Sequence, residues 1–549
     1  MSKEAITTEV LDHHGIVAAA IQDIGLIEKI NSRIKQNKDP RRIVSTGEST
    51  AALILNGLGF TNRRLYIISQ FFENKPVARL LGNEKIKTEH LNDDTLGKAL
   101  DEIAEYGTTK LFGEIAIEII SDHQLLGQFG RFDTSTISVE GSYDKQEGES
   151  IISITHGHSK DHRPDLKQMT ILFGIIGSAN LPFWFEPLDG NKSDKKSIHQ
   201  AILSAENFRK QLKEAPILTY VADSALYNSK TLLDKKNNFP WITRVPETIK
   251  ETWALLEYPS DGEKWQKSTY AGYKFYMHYS NYGETQQRWM IVYSEKKFKR
   301  EEKTFKKDII RKTEKVEKNF KTLTREIFAC SEDAVRKLNS FKKKNELFDV
   351  YGEVKEVRKH ASKGRPKKDV NLQVVGYVIE GKVTINNSKA DQLLQHKGKF
   401  ILATNQLDEK ILPNELILSE YKEQNSVERG FAFLKDPWFM VDSIYLKSKK
   451  RIAALMMIMT LCLLVYNFAQ YKVRKALRDA GEFLPNQVKK QIQNPTLKWL
   501  FLMMEGIAVV NIATKINSFK NSFVSNLTPI RKKIISLFGI SAENIYGFG

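Results

Sequence analysis

Eighteen consecutive residues from Ile452 to Ala469, I-A-A-L-M-M-I-M-T-L-C-L-L-V-Y-N-F-A, carry no charge. A run of that length must be hidden from water in whatever fold the chain adopts. It is long enough to cross hydrocarbon, and the basic K-S-K-K-R from Lys447 to Arg451 precedes it, as at the flank of a membrane helix. Thr460, Tyr466 and Asn467 interrupt it, however, and after Gln470 it runs on into the charged Y-K-V-R-K-A-L-R-D. No second apolar stretch of that length occurs. The expectation is therefore a helix buried on all sides in the core of a large protein, with no membrane as partner.

A chain of 549 residues exceeds one ordinary core, so several domains are expected. Lysine and arginine number 84 against 66 acidic residues, a net charge of +18 that favours a polyanion, most often nucleic acid, as partner. Aromatic content of 10% and hydrophobic content of 41% exclude a disordered basic tail. Cys330 and Cys462 share no C-x-x-C spacing, which argues against a disulfide framework or a cysteine zinc site. With no apolar core in M-S-K-E-A-I-T-T-E-V, a signal peptide is not expected and a reducing cytoplasm is the simplest compartment.

Residues 1–122 read as helical. Ile16, Ala20, Ile24, Ile27 and Ile30 recur at helical steps, and Asn92-Asp93-Asp94 marks a helix start before Leu96, Ala99, Leu100 and Ile103. Such a domain reads DNA or serves dimerisation and packing; no helix-turn-helix pattern names a recognition helix. From Gly127 the pattern changes to strands at 128–139, 150–155 and 169–176. A helix at about 193–212, a strand at 217–222, a helix at 226–235 and a strand at 239–244 follow, so 123–246 reads as an α/β domain with a mixed sheet. Asp133 falls inside the first strand, in R-F-D-T-S-T, and Asp223 ends the fourth, in V-A-D-S-A. A carboxylate in an apolar strand must be paired, solvated at an edge or bound to a cation. Neighbouring strands 1 and 4 of an open sheet can bring the two acids together at their ends, where ligands bind.

A third acid stands in Y-K-E-Q-N-S-V-E-R-G-F-A-F-L-K, where Tyr421, Gln424, Glu428 and Lys435 are spaced by three, four and seven, one face of a helix. With Asp133 in F-D-T-S and Asp223 in V-A-D-S-A, this segment resembles a DDE transposase of bacterial insertion sequences, in the group marked by Y-x2-R-x3-E-x6-K. Gln424 stands at the arginine position, which removes a guanidinium and is expected either to weaken a phosphate contact or to shift it to Arg429. Runs similar to that group's also occur at 157–168 (G-H-S-K-D-H-R-P-D-L-K-Q), 190–194 (G-N-K-S-D) and 242–246 (I-T-R-V-P), and those at 56–63 and 90–97 resemble its helical leader.

The resemblance implies a ribonuclease H-like catalytic domain in two parts, 123–246 and 396–475. An insertion at 247–395 interrupts it, a helical N-terminal domain precedes it, and a helical region at 476–549 follows. It further implies that Asp133, Asp223 and Glu428 hold two divalent metals, Mg²⁺ or Mn²⁺, that Lys435 and Tyr421 face the cut strand, and that the partner is DNA, gripped by a chain that oligomerises when it synapses two ends. Lys160, Arg163, Lys167 and Arg244 are expected at DNA phosphates.

The separation of 205 positions between Asp223 and Glu428 is too long for a loop, and strand-like runs at 273–278, 289–293, 372–379 and 400–404 make the insertion β-rich. Residues 295–346 carry 18 basic and 10 acidic side chains in a helical pattern, which suits either DNA or a solvated helical hairpin. Trp253, Trp265 and Trp289 are base-stacking candidates, with core packing the ordinary account of each. Lys363-Gly364-Arg365-Pro366-Lys367-Lys368 is similar to a minor-groove AT-hook and equally fits a basic connector. His156, His158 and His162 lack a cysteine partner, and phosphate contacts from their basic neighbours are the better reading than zinc. Three functions share this residue set: a transposase that cleaves and joins DNA, a DNA-binding descendant that no longer cleaves, and a nuclease without strand transfer.

Overall fold

The computed structural model describes residues 5–35, 42–59, 68–139, 143, 152–160, 162–192, 194–210, 217–228, 239–359, 372–435, 446, 448–513 and 520–548. The chain divides into two compact units, Met1–Thr243 with Leu418–Gly549, and Arg244–Ile417.

In the first unit a mixed sheet is built from β1 (Phe129–Val139), β2 (Lys167–Ile176), β3 (Leu181–Leu188), β4 (Thr219–Ala222) and β5 (Trp241–Arg244), in the spatial order β3-β2-β1-β4-β5. β1, β2 and β3 are antiparallel neighbours, while β4 runs parallel to β1 and β5 parallel to β4. Of the strand expected at 150–155, residues 150–151 lie outside the described residues and 152–155 form a single bridge, Thr155 to Gln168, before the chain enters the irregular H-G-H segment. β3 takes its place as the third meander strand. Pro182 and Pro187 read as breakers, yet β3 ends the strand order within this unit, where a missing N–H costs no ladder bond. Of the helix expected at 226–235, residues 226–228 form a turn and 229–235 lie outside the described residues.

One face of the sheet is covered by α1 (Asp194–Lys210), which is tied to β4 by the Tyr220 hydroxyl donating to Glu206 at 2.8 Å. The other face carries α2 (Asn414–Lys422) and α3 (Asn425–Lys435). Arg131 and Asp133, two apart on β1, share this face, and Asp133 is paired across the ladder with Phe173. Phe173 packs on Phe431 with ring centroids 4.1 Å apart, and a Cβ on Gly430 would lie 2.8 Å from the Phe173 ring, so only glycine allows α3 this approach. The uncharged run forms the middle of α4 (Lys449–Asp479), 83% buried inside the unit, as a core helix requires. Leu463 of α4 lies beside Gly430, and the Asn467 amide donates to the Asn180 carbonyl at 2.7 Å. Arg451 grips Asp101 of the N-terminal helices through two bonds of 2.8 and 2.7 Å. The helix starting at Asp93 is capped by Asn92, as its sequence indicates. Ala5–Val10 pairs with Ala508–Ala513, which pairs with Lys520–Ser525, so the first strand and a late hairpin form one small sheet.

The second unit contains antiparallel Gln266–Lys267, Tyr273–Ser280, Gln287–Ser294 and Lys399–Thr404. A hairpin of Phe348–Lys359 and Gln373–Ile385 shares a separate core with the helices Glu295–Leu323 and Ser331–Lys344 through Phe320, Leu338, Val350 and Ile379. Two basic side chains are internal here. Arg288 is fully buried and bonded to the carbonyls of Gln406 (2.8 Å) and Leu412 (2.6 Å). Lys399, pushed down to about 8 by burial, donates to the carbonyls of Leu256 (2.7 Å) and Tyr258 (2.5 Å).

The buried ion pair of Arg131 with Glu420 fastens α2 to β1. Burial pushes the Glu420 carboxyl up more than Arg131 pulls it down, so the pair contributes position at the expense of solvation. Glu420→Ala, which strands the buried guanidinium, is expected to cost about 3 kcal/mol in urea denaturation, whereas the double change Arg131→Met with Glu420→Leu recovers most of that. A double variant as unstable as the single one would show that the loss lies elsewhere.

Candidate active site

The register of β1 on β4 decides the geometry. Phe129 is level with Thr219, Gly130 with Tyr220 and Arg131 with Val221, so two further residues bring Asp133 level with Asp223. Neighbouring strands stand about 4.8 Å apart, and residues level in a parallel pair present the same face, so this register directs Asp133 toward the end of β4 that Asp223 follows. β4 stops at Ala222. The carbonyl of Asp223 accepts a bond from the Thr243 hydroxyl (2.6 Å) and its carboxylate accepts from the Ala225 N–H (2.9 Å), which fixes the turn. The Asp133 carboxylate accepts from the Thr134 N–H at 2.7 Å.

β1 continues six residues beyond Asp133, past the end of β4, and the loop after Thr155 covers the edge this leaves. The Lys160 ammonium donates to the Thr134 carbonyl (2.7 Å) and hydroxyl (2.8 Å) and stands 3.9 Å from Asp133 Oδ1; the Lys160 N–H donates to the Thr136 hydroxyl at 3.0 Å. Beside it opens a cleft of about 380 Å³ lined by Thr136, His158, Lys160, Asn191, Lys192 and Asp223 among others. It sits outside the carboxyl end of β4, where the neighbouring connections diverge.

Two loops form the basic wall, and one buried side chain joins them. Gln168, 1% exposed, donates from its amide to the Gly190 carbonyl (2.7 Å) and the His158 carbonyl (3.3 Å). Gly190 donates in turn to the Ser153 carbonyl at 2.9 Å. A Cβ at Gly157 would lie 2.2 Å from the Gly190 oxygen, and one at Gly190 would lie 2.0 Å from the Gln168 oxygen, so both glycines are required by contact. Sequence reasoning weighed His158 only as a zinc candidate and gave Gln168, Asn191 and Lys192 no individual role. The signal was available in the paired runs G-H-S-K and D-G-N-K, each a glycine followed within three residues by a lysine.

The third acid is differently placed. Tyr421, Gln424, Glu428 and Lys435 do not share one helix. α2 ends at Lys422 and α3 begins at Asn425, with three-residue turns from Ser426 N–H to Glu423 O (2.8 Å) and Val427 N–H to Gln424 O (2.9 Å) between them. The polar run E-Q-N-S supplies residues that compete with the helix backbone. Tyr421 is half-buried on α2, Gln424 is buried in the turn, Glu428 is exposed in the first turn of α3, and Lys435 is half-buried at its last residue. Arg429 is exposed, 3.9 Å from Glu423. α3 lies against the Asp133 face through Phe431. Even so, among the described residues no group of three or more His, Cys, Asp or Glu is close enough to hold a metal ion. The residues that could hold a divalent cation are Asp133 on β1 and Asp223, one residue past the end of β4: their hard oxygens are of the kind Mg²⁺ takes, a cation that keeps several waters and uses one or two carboxylates plus phosphate oxygens.

The remaining expected DNA contacts are dispersed. Arg163 is bonded to Asp165 (2.7 Å), and Lys167 starts β2 opposite Val139. Arg244 opens the second unit and pairs with Glu247 at 2.7 Å, while Arg365 and its basic neighbours lie outside the described residues. Trp289 is a core residue at 0% exposure, Trp265 donates to the Pro259 carbonyl, and Trp253 is exposed.

Residues 6–117 match a family described as "Domain of unknown function (DUF4277)". No curated protein matches the chain. Among solved structures the chain is similar, at 10% identity and a TM-score of 0.35, to a piggyBac transposase synaptic complex with hairpin DNA determined by cryo-EM, over 92% of this chain and 82% of that one.

Proposed function

We propose that the chain is a DNA transposase of the DDE type, with a ribonuclease H-like catalytic domain, that cleaves at the ends of an insertion sequence and joins them to target DNA. The observation that carries this reading is the parallel pairing of β1 with β4, whose register, continued two residues past Arg131 and Val221, puts Asp133 opposite Asp223 beside a lysine-lined cleft. The strand order β3-β2-β1-β4-β5, with one antiparallel meander and two parallel additions, supports it.

Asp133 and Asp223 would hold Mg²⁺ or Mn²⁺, and Glu428 would complete the set once α3 closes on bound DNA. Such a cation supplies charge at the phosphoryl oxygens and an oriented, acidified attacking oxygen. Lys160 and Lys192 on the cleft wall bind the phosphodiester and hold it for in-line attack. In hydrolysis a water oxygen bonds to phosphorus as the 3' oxygen leaves with a proton. In joining, the freed 3' hydroxyl attacks a target phosphorus and displaces its 3' oxygen, so one P–O bond forms as another breaks. Tyr421 and Lys435 flank the cut strand, the lysine as a point charge.

Asp133→Asn, Asp223→Asn and Glu428→Gln are each expected to lower Mg²⁺-dependent nicking of the element's own ends by at least about 10³-fold, while a gel-shift assay shows DNA binding preserved. Full nicking by any of them would remove that residue from the site. A wild-type protein that shifts the DNA without nicking it is a binder only, and one that nicks without joining ends to a plasmid is a nuclease. Lys435→Ala is expected to slow cleavage by about 10-fold with an unchanged melting temperature. An unchanged rate at limiting DNA would separate Lys435 from the reaction.

A further inference from the structure

We propose that Lys160 is the built-in counter-ion of Asp133, a cation that competes with the divalent metal for the carboxylate and gives way when a DNA phosphate arrives, so that metal binding and DNA binding are coupled. This rests on the two-carboxylate metal site proposed above.

Three observations carry it. The ammonium stands 3.9 Å from Asp133 Oδ1, close enough to neutralise the carboxylate yet outside direct hydrogen-bond range, and both groups are only partly exposed, at 34% and 20%. Its position is built, because the Thr134 carbonyl and hydroxyl accept from Nζ and the Thr136 hydroxyl accepts from the Lys160 backbone. The loop that carries it is pinned to β2 by Gln168, whose amide reaches the His158 carbonyl two residues before Lys160. The same side chain also lines the cleft that holds Asp223, so a phosphodiester entering that cleft meets this ammonium as it meets Asp223.

The electrostatics then follow from distance. Two carboxylates level on adjacent strands repel each other, and Lys160 relieves that repulsion while no metal is present. A divalent ion bound to Asp133 lies within a few ångströms of the ammonium, and like charges that close weaken each other's binding. A phosphate oxygen that draws Lys160 off Thr134 removes the competitor and raises metal affinity, and by linkage the metal raises DNA affinity by the same factor. The DNA-free protein is thereby kept from loading a full cleavage site.

The test is a titration of the full chain with Mn²⁺, with free metal read by electron paramagnetic resonance, and with and without a short DNA duplex. Lys160→Met is expected to bind Mn²⁺ about tenfold more tightly than wild type in the absence of DNA, and Lys160→Arg to match wild type. The duplex is expected to tighten Mn²⁺ binding to wild type but to leave Lys160→Met unchanged. Circular dichroism melting establishes that each variant is folded, and Lys160→Gln, which keeps a donor for Thr134, repeats the test if Lys160→Met is not. Equal or weaker Mn²⁺ binding by the neutral variants overturns the counter-ion role, while loss of binding in Asp133→Asn leaves the metal site standing. Mn²⁺ binding by wild type that survives in Asp133→Asn, or no binding by either protein, overturns both.

Discussion

Burial of α4 is the constraint around which the first unit is arranged. Met457, Leu461, Cys462 and Leu464 have no exposure, and each such apolar side chain contributes about 2 kcal/mol on leaving water. No single neighbour can cover a helix that is apolar all round. The N-terminal helices cover one side, α3 and the β2–β3 turn another, and the Phe501 region a third, where Tyr466 meets the Phe501 ring at 6.3 Å. The helix bearing Glu428 is therefore pressed between α4 and the strand pair that carries Asp133. Burial also pushes the Cys462 thiol up, which leaves it a packing residue and not a nucleophile.

Much of the fold was legible because it follows from periodicity and burial. β1, β2, β4 and β5, the helix after Asp194 and the buried character of the uncharged run each stand within a few residues of where their patterns put them. What escaped was set by tertiary context. Pro182 and Pro187 argue against a strand until its end position in the unit's sheet is known, and the polar run after Tyr421 is compatible with a continuous helix until its hydrogen bonds are seen to close three-residue turns. Around the candidate site, the neighbouring positions of the strands that carry or lead to Asp133 and Asp223 were legible from strand order alone. Gln168 was not, since its role depends on two loops that only the folded chain brings together. Glu428 was legible as a helical residue, but not as one exposed in the first turn of a new helix after a break at residues 423–424.

Net positive charge is an uneven guide to where a polyanion binds. Arg131, Arg288 and Lys399 are buried and spend their donors on Glu420 or on main-chain carbonyls, so they hold the scaffold. On the long helix Glu295–Leu323, lysines pair along the surface with acids four residues away, as Lys299 with Glu295 (2.6 Å) and Lys306 with Glu302 (2.7 Å) do. Such exposed pairs add little stability and leave the helix with its excess of positive charge. The basic groups around Asp223 differ in kind, because they come from two separate loops and converge on one cleft.

The pairing of Ala5–Val10 with Ala508–Ala513 has a consequence for how the protein is made. The strand Ala5–Val10 finds its ladder partner, among the described residues, some five hundred residues later, and Asp133 and Asp223 are separated in sequence from α3 by the whole second unit. The second unit, compact over 244–417, can collapse as it emerges, but the strand at 5–10 must wait for residues 508–513. Closure of this small sheet is thus a late, long-range event, and a product truncated anywhere upstream of residue 508 lacks the partner strand that residues 5–10 require.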